Sequence, residues 1–260
     1  MDFKNFLYQK LTINYPNLSI IYNKSKDFDF FFPNHKIALN INNLIHKPYD
    51  FYYNRFINAK KMNILLLQFW EDELLKKFNF LYNLLLTKLN LLEKIKISSH
   101  DCQIVKFNPK TLYYQLIVDF FNISHNKGLG LATNIYALMY MNKIITAITV
   151  MDIDNEGYYQ LDRYTTDNIH KPMGGFDKLI SFAENDLNIQ KWYTHVNNDL
   201  SWGKLYIDRG WTKIENYKFD MLYFVYNDKR YKRKELKELN ISVETLPKIY
   251  TAGLSRFDKC

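Results

Sequence analysis

Apolar residues along this chain recur at two periods, and the switching between them divides the sequence into helices and strands. Phe3, Phe6, Leu7 and Leu11 fall at helical spacing and predict a first amphipathic helix, ended by Pro16-Asn17. Leu18 to Tyr22 reads as a strand. Two short aromatic and β-branched runs then flank Pro33-Asn34-His35, the pattern of strand, tight turn and strand. Asp50 to Lys61 is read as helical and Ile64 to Phe69 as the next strand. Helix, strand, strand, strand, helix, strand predicts a small mixed sheet with helices on its faces. Asp72 to Ile97 is dense in leucine and predicts one or two helices. Their stripe is core and not a zipper, because no heptad persists over enough turns.

A second set of elements follows a boundary placed near residue 98. Thr111 to Ser124 predicts an amphipathic helix, and His125-Asn126-Lys127-Gly128 a loop. Ile135 to Met141 and Lys143 to Asp152 are β-rich runs about Asn142-Lys143, a predicted hairpin. Tyr158 to Thr165 is a further strand, and Gly174-Gly175 makes a turn feeding a helix. Trp192 to Val196 returns as a strand, Leu200 to Arg209 is helical, and Gly210-Trp211 opens the last strands, ending with Met221 to Tyr226. The expected fold class is α/β (α+β), in three segments: 1–98, 99–228 and a basic tail at 229–260.

Composition narrows the class. With 260 residues, 47% hydrophobic and 17% aromatic, the chain can bury one large core or two small ones and is not disordered. A net charge of +8 favours polyanions or acidic surfaces as partners, although a lysine-rich surface also serves plain solvation. Heavy use of Lys, Asn, Ile, Tyr and Phe is what an AT-rich genome produces, so part of that charge reflects codon usage. Cys102 and Cys260 match neither a metal spacing nor a disulfide framework, which agrees with a reducing compartment. No apolar run reaches membrane-spanning length and no signal peptide opens the chain, so the expectation is a soluble, intracellular protein with no membrane partner.

Candidate chemistry centres first on Asp29, in the first hairpin strand. Asn40 and Asn42 share one face of the second strand, because side chains two apart point the same way. A carboxylate beside two amide oxygens is a geometry that a hard cation accepts, and Asp27 supplies a second carboxylate. Nucleases hold magnesium against a phosphate in this way. Asn40 itself brings neither charge nor general-base capacity. The plainer reading of Asp29 is a strand-end carboxylate capping a turn. Near the end of the chain, Lys229, Arg230, Lys232, Arg233 and Lys234 surround Tyr231, a pattern suited to phosphate contacts and base stacking, or to a solvated helix start. His125 and Arg163 are added as further nucleic-acid-binding candidates.

Two family resemblances join these stretches. Asp27, Phe28, Asp29, Pro33, Lys36 and Asn42, followed by Ile64 to Phe69 and Glu71-Asp72-Glu73, resemble the core of the very-short-patch-repair-like endonucleases found among phage homing enzymes. Asn40 stands at that family's glutamate and Asn43 at its glycine. The resemblance implies a restriction-endonuclease-like N-terminal domain with a mixed sheet, and Asp29 and Asp27 as metal ligands. It further implies Asn40, Asn42 and His46 at catalytic positions, and Mg2+ as the cofactor of an active enzyme. The later hairpin, strand, glycine turn, strand and Leu205 to Trp211 resemble the GNAT-type N-acetyltransferase fold. That likeness implies a coenzyme A pyrophosphate cradle at Lys171, Gly174 and Gly175, and Tyr206 as the acid that protonates the leaving thiolate. Tyr206 also reads as a tyrosine packed on the inner face of a short helix. Phe176, where a small residue is wanted, and Pro172, which lacks an amide donor, weigh against acetyl-CoA.

The leading expectation is therefore a DNA-binding protein of the homing or repair endonuclease type, with weakened metal-dependent phosphodiester hydrolysis. A second is an inactive, endonuclease-derived viral DNA-binding or structural protein, acting within a viral assembly in the host cytoplasm or virion. A third is a GNAT-type acyltransferase.

Overall fold

Asp2 accepts hydrogen bonds from the amides of Lys4 and Asn5 and so starts the first helix, whose stripe of Phe3, Leu7 and Leu11 is buried. This helix, α1 (Phe3–Asn14), opens a computed structural model that describes residues 2–22, 27–111, 113–130, 132–152, 154–214 and 222–260. Then come β1 (Ile21–Tyr22), β2 (Phe30–Phe32), β3 (Ile37–Asn42), α2 (Phe51–Lys61), β4 (Leu65–Trp70) and α3 (Glu71–Lys88). β5 (Ile95–Ser98), β6 (Gln103–Phe107), α4 (Tyr114–Ser124), β7 (Asn134–Tyr140), β8 (Lys143–Met151), β9 (Tyr159–Thr166), β10 (His170–Met173) and α5 (Gly175–Leu187) follow. The order ends with β11 (Trp192–Asn197), α6 (Lys204–Ile207), β12 (Thr212–Lys213), β13 (Leu222–Tyr226), β14 (Lys229–Tyr231), α7 (Arg233–Glu238), β15 (Lys248–Tyr250) and β16 (Leu254–Lys259). The expected strand end at Met221 lies outside the described residues.

The chain forms two compact units, each assembled from separated stretches: Met1–Phe78, Val196–Leu205 and Glu215–Ser255 in the first, Asn79–His195, Tyr206–Ile214 and Arg256–Cys260 in the second. The leucine-rich α3 passes from one to the other beside a break at Lys77, where φ −136° and ψ 35° are not helical.

In the first unit β2 and β3 pair antiparallel across the Pro33 turn, and β3 pairs parallel with β4, giving a mixed sheet in the order β1-β2-β3-β4. Every residue of β3 is buried, so both of its faces are covered. Residues 229–260, expected as a basic tail, instead form β14, α7, β15 and β16. Arg230 is 9% exposed. Its Nε donates to Asp72 at 3.0 Å, its Nη2 meets Glu73 at 3.0 Å, and its guanidinium lies 4.2 Å from the Trp70 ring centroid. Nearby, the buried Asp199 carboxylate accepts from Gln68 Nε2 (3.0 Å), Trp70 Nε1 (3.2 Å) and the Ala252 amide (3.1 Å).

The second unit is built on a seven-stranded sheet in the order β12-β16-β11-β9-β8-β7-β6, with β5 and β10 as a separate parallel pair. β6, β7, β8 and β9 are consecutive antiparallel neighbours, whereas β9 and β11 run parallel. Met141 and Asn142 close the β7–β8 hairpin with φ of 47° and 62°, as a two-residue turn matched to strand twist requires. Ile117 and Phe121 of α4 pack with Ile135, Ala137 and Ala147 on one face. On the other, Phe182 of α5 meets Tyr136 with ring centroids 5.6 Å apart. α6 is only four residues long, shorter than the expected 200–209 helix, and glycines with positive φ at 203 and 210 flank it. No helix among the described residues is long and apolar enough to cross a membrane.

Burial raises the Asp199 carboxyl to about 6, above its unfolded value near 4. The folded state therefore holds this proton more tightly than the unfolded chain does. The resulting stabilisation is complete below pH 4 and lost as pH rises through 6, by about 3 kcal/mol. Urea unfolding across that range should show the decline, and Asp199→Asn should flatten it.

Candidate functional site

The expected metal site is closed by the protein's own groups. Asp29 accepts from Lys4 Nζ at 2.7 Å through one carboxylate oxygen and from the Ile41 amide at 2.8 Å through the other. The Asp29 amide in turn donates to Asn40 Oδ1 at 2.8 Å, and Asn40 Nδ2 donates to the Asp27 carbonyl at 3.2 Å. The hairpin does bring Asp29 and Asn40 together, but as a backbone-pinning network in which an ammonium supplies the positive charge. Asn40 and Asn42 are buried, at 1% and 6% exposure, and His46 is tied through Nδ1 to the Lys248 carbonyl at 2.7 Å. Among the described residues no three His, Cys, Asp or Glu side chains gather to hold a metal ion. The catalytic roles of Asp29, Asn40, Asn42 and His46, the Asp27 and Asp29 ligand pair and the Mg2+ cofactor are withdrawn.

The nucleic-acid candidates divide between the two units. Arg230 points inward onto Asp72, Glu73 and Trp70, because a guanidinium stacked and paired in this way is spent on structure. Lys229, Lys232, Arg233 and Lys234 are exposed around the start of α7, where Glu235 accepts from the Lys232 amide. His125 and Arg163 belong to the other unit.

In that second unit a different site is assembled where β9 and β11 part. The two strands pair through Trp192↔Tyr159, Tyr193↔Gln160 and Thr194↔Leu161 only, although β9 continues to Thr166. On the face toward α5, Thr194 Oγ1 donates to the Leu161 carbonyl at 2.8 Å and hydrogen-bonds with Tyr206. Burial pushes the Tyr206 phenol up to about 12, against the Thr194 bond, so it keeps its proton at neutral pH. Phe176 lies beside it, ring centroids 5.9 Å apart, and 4.9 Å from Tyr164.

The glycine turn is built as the sequence suggests, and Phe176 does not obstruct it. Gly174 caps α5 with φ +75°, which favours glycine, and no side chain caps the first amides of the helix. Gly175 is required by space: an added Cβ would meet Pro172 Cβ at 2.8 Å. Gly174 is exposed while Phe176 is turned into the interior at 2% exposure, so its ring lies away from the phosphate side of the turn. Asp177, in the first helical turn, is paired with Arg209 Nε at 2.7 Å, which offsets its charge. Lys171 is exposed on β10. These residues fit a diphosphate, and the objection drawn from Phe176 is corrected.

The opposite face carries groups that sequence reasoning missed. Thr149 pairs with Arg163 but Val150 pairs with Leu161, so Asp162 is the extra residue of a β-bulge at the end of the β9–β11 pairing. Just past the last rung on β11 stands His195, edge-on to Tyr193 with centroids 5.5 Å apart. Burial first and the Arg256 guanidinium second push His195 down to about 4, so it is neutral at pH 7 and able to accept a proton. A bulge is a property of strand register, and no short motif marks it in the sequence.

No protein-family model matches the chain, and no curated protein matches it significantly. Solved structures that resemble it include a GNAT family acetyltransferase from Elizabethkingia anophelis with acetyl-CoA bound (14% identity, TM-score 0.34, covering 61% of this chain and 97% of that one). Others are the ribosomal-protein-S18-alanine N-acetyltransferase from Escherichia coli (10%, 0.36, 60% and 91%) and the IAA acetyltransferase from Bacillus cereus (13%, 0.35, 60% and 98%). These neighbours are acetyltransferases. The closed Asp29 network removes the metal site on which the very-short-patch-repair-like resemblance and the DNA endonuclease function rested, the division of the basic candidates between the two units removes the support for the viral DNA-binding variant, and the outward Gly174 with the inward Phe176 removes the reading against acetyl-CoA.

A double-mutant cycle tests the role given to Asp29. Lys4 is 37% and Asp29 20% exposed, so solvent screens the pair and its coupling should be about 0.5–1 kcal/mol. Lys4→Met and Asp29→Asn should each lower the urea midpoint, their combination by less than the sum.

Proposed function

We propose that the second unit is an acyl-coenzyme A-dependent N-acyltransferase of the GNAT type. One observation carries this reading: a parallel strand pair parts after three rungs beside a glycine-opened helix, with a phenol on one side of the opening and a neutral imidazole on the other. A thioester bound there supplies an activated carbonyl: the amine nitrogen bonds to its carbon, the carbon–sulfur bond breaks, and the sulfur leaves as a thiol. The residues divide the remaining work. Backbone amides of Gly175 and Phe176 face a diphosphate at the positive end of the α5 dipole, with Arg209 and Lys171 as nearby cations. His195 Nδ1 or Nε2 receives the proton that the attacking amine gives up, and the Tyr206 hydroxyl donates one to the departing sulfur.

Calorimetric titration of the full chain with acetyl-CoA tests the reading, and saturable binding is expected. Gly174→Val, which strains a positive φ and comes within 3.0 Å of Ser99 Oγ, should weaken it by about tenfold or more. Silence at millimolar ligand would refute the proposal. Tyr206→Phe should lower kcat about 10²-fold with little change in the thioester KM. Because His195 is held near 4, kcat/KM should stay flat from pH 7 down to 5 and fall only as His195 gains its proton. A histidine of ordinary basicity would already halve the rate near pH 6.5.

A further inference from the structure

Strand β10 runs into the glycine turn at Gly174, and it is paired in parallel with β5. The register is His170↔Ile95, Lys171↔Lys96, Pro172↔Ile97 and Met173↔Ser98. Pro172 and Ile97 are buried, so Lys171 and Lys96, one position earlier on each strand, point outward side by side. Both are exposed, and among the described residues neither amine takes part in a hydrogen bond or an ion pair. Neighbouring strands stand about 4.8 Å apart, so two like charges share one rung, an arrangement that costs stability.

The surroundings sharpen this imbalance. Lys94 Nζ donates to the Asp167 carbonyl at 2.8 Å; burial lowers its pKa, and the Lys171 charge adds to that lowering against Asp167. The Asp167 carboxylate is spent locally, on the amides of Ile169 (3.1 Å) and His170 (2.6 Å) and on His170 Nδ1 (2.6 Å). The frame beneath is fixed to α5. Lys178 Nζ donates to the carbonyls of Ser99 (2.8 Å) and Cys102 (2.9 Å), just past the end of β5, and a Cβ on Gly174 would come within 3.0 Å of Ser99 Oγ. The paired lysines and the glycine turn therefore belong to one framework within the second unit.

We infer that Lys96 and Lys171 form a subsite for a phosphate monoester, the 3′-phosphate on the ribose of a coenzyme A thioester. The inference rests on the acyltransfer reading and states which form of the thioester the chain selects. A phosphate monoester carries about −1.5 to −2 at pH 7, which two adjacent ammonium groups neutralise. Lysine meets phosphate as a point charge and needs no fixed fork, in keeping with two solvent-facing side chains. Lys171 is three residues ahead of Gly174, about 10 Å along an extended strand. In coenzyme A the 3′-phosphorus lies about six bonds, or roughly 7 Å, from the nearer phosphorus of the diphosphate. A lysine side chain spans the difference, so one molecule can place its diphosphate at the α5 amides and its monoester between the lysines. A thioester lacking that phosphate leaves the two cations uncompensated and binds more weakly.

Calorimetric titration of the full chain with coenzyme A and with 3′-dephospho-coenzyme A at low ionic strength tests the inference. Coenzyme A should bind about tenfold more tightly, and the margin should shrink as salt is added. Lys96→Gln should bring the two affinities within about twofold by weakening coenzyme A alone, and Lys96→Arg should keep the preference. Lys110→Gln, which removes an exposed cation elsewhere in the same unit, should keep it too. Equal binding of the two ligands, a preference that survives Lys96→Gln, or an equal loss in Lys110→Gln would overturn the inference. Binding of both ligands without preference leaves the acyltransfer reading standing; silence toward both removes the two together.

Discussion

Ladder bonding between β9 and β11 ends at Leu161 and Thr194, and the chemistry proposed for the second unit depends on what that ending leaves open. Two parallel strands that continued in register would bury their backbone donors in each other. Here a bulge at Asp162 interrupts the β8–β9 ladder at the same level, so the end of one pairing coincides with an irregularity in the next. The aromatic cluster of Tyr164, Phe176 and Tyr206 occupies the α5 side of the opening, and His195 stands on the other side. Gly174 starts α5 with a conformation that leaves its first amides without a side-chain cap.

The first unit illustrates the opposite use of polar groups. Asp29, Lys4 and Asn40 close on one another, as do Arg230, Asp72 and Glu73, and Asp199 with Gln68 and Trp70. Such groups fix strands and loops in place because a buried charge is tolerated only when paired. Residues that look like chemistry in a list of side chains are here part of the scaffold.

Local periodicity and turn chemistry made much of the architecture legible. The stripe of Phe3, Leu7 and Leu11, the hairpin about Pro33, the hairpin closed at Asn142 and the glycine turn before α5 are all written in neighbouring residues. What failed was the inference from charge to partner. Lys4 is 25 positions from Asp29, and Asp72 is 158 positions from Arg230, so nothing local announces either pair. A basic run therefore read as a nucleic-acid tail, and Asp29 beside two asparagines read as a metal site. The interleaving of the units along the chain was hidden for the same reason. Phe176 was misjudged because sequence gives its size and not its direction, and the ring points inward.

The central claim is that the β9–β11 opening and the α5 amides receive a coenzyme A thioester. Amide hydrogen exchange of the full chain, with and without coenzyme A, tests it most directly. Slowed exchange confined to peptides containing Gly174 to Lys178 and Asp162 to Arg163 is the expected result. Unchanged exchange in both segments at saturating coenzyme A, or protection only in the first unit, would contradict it.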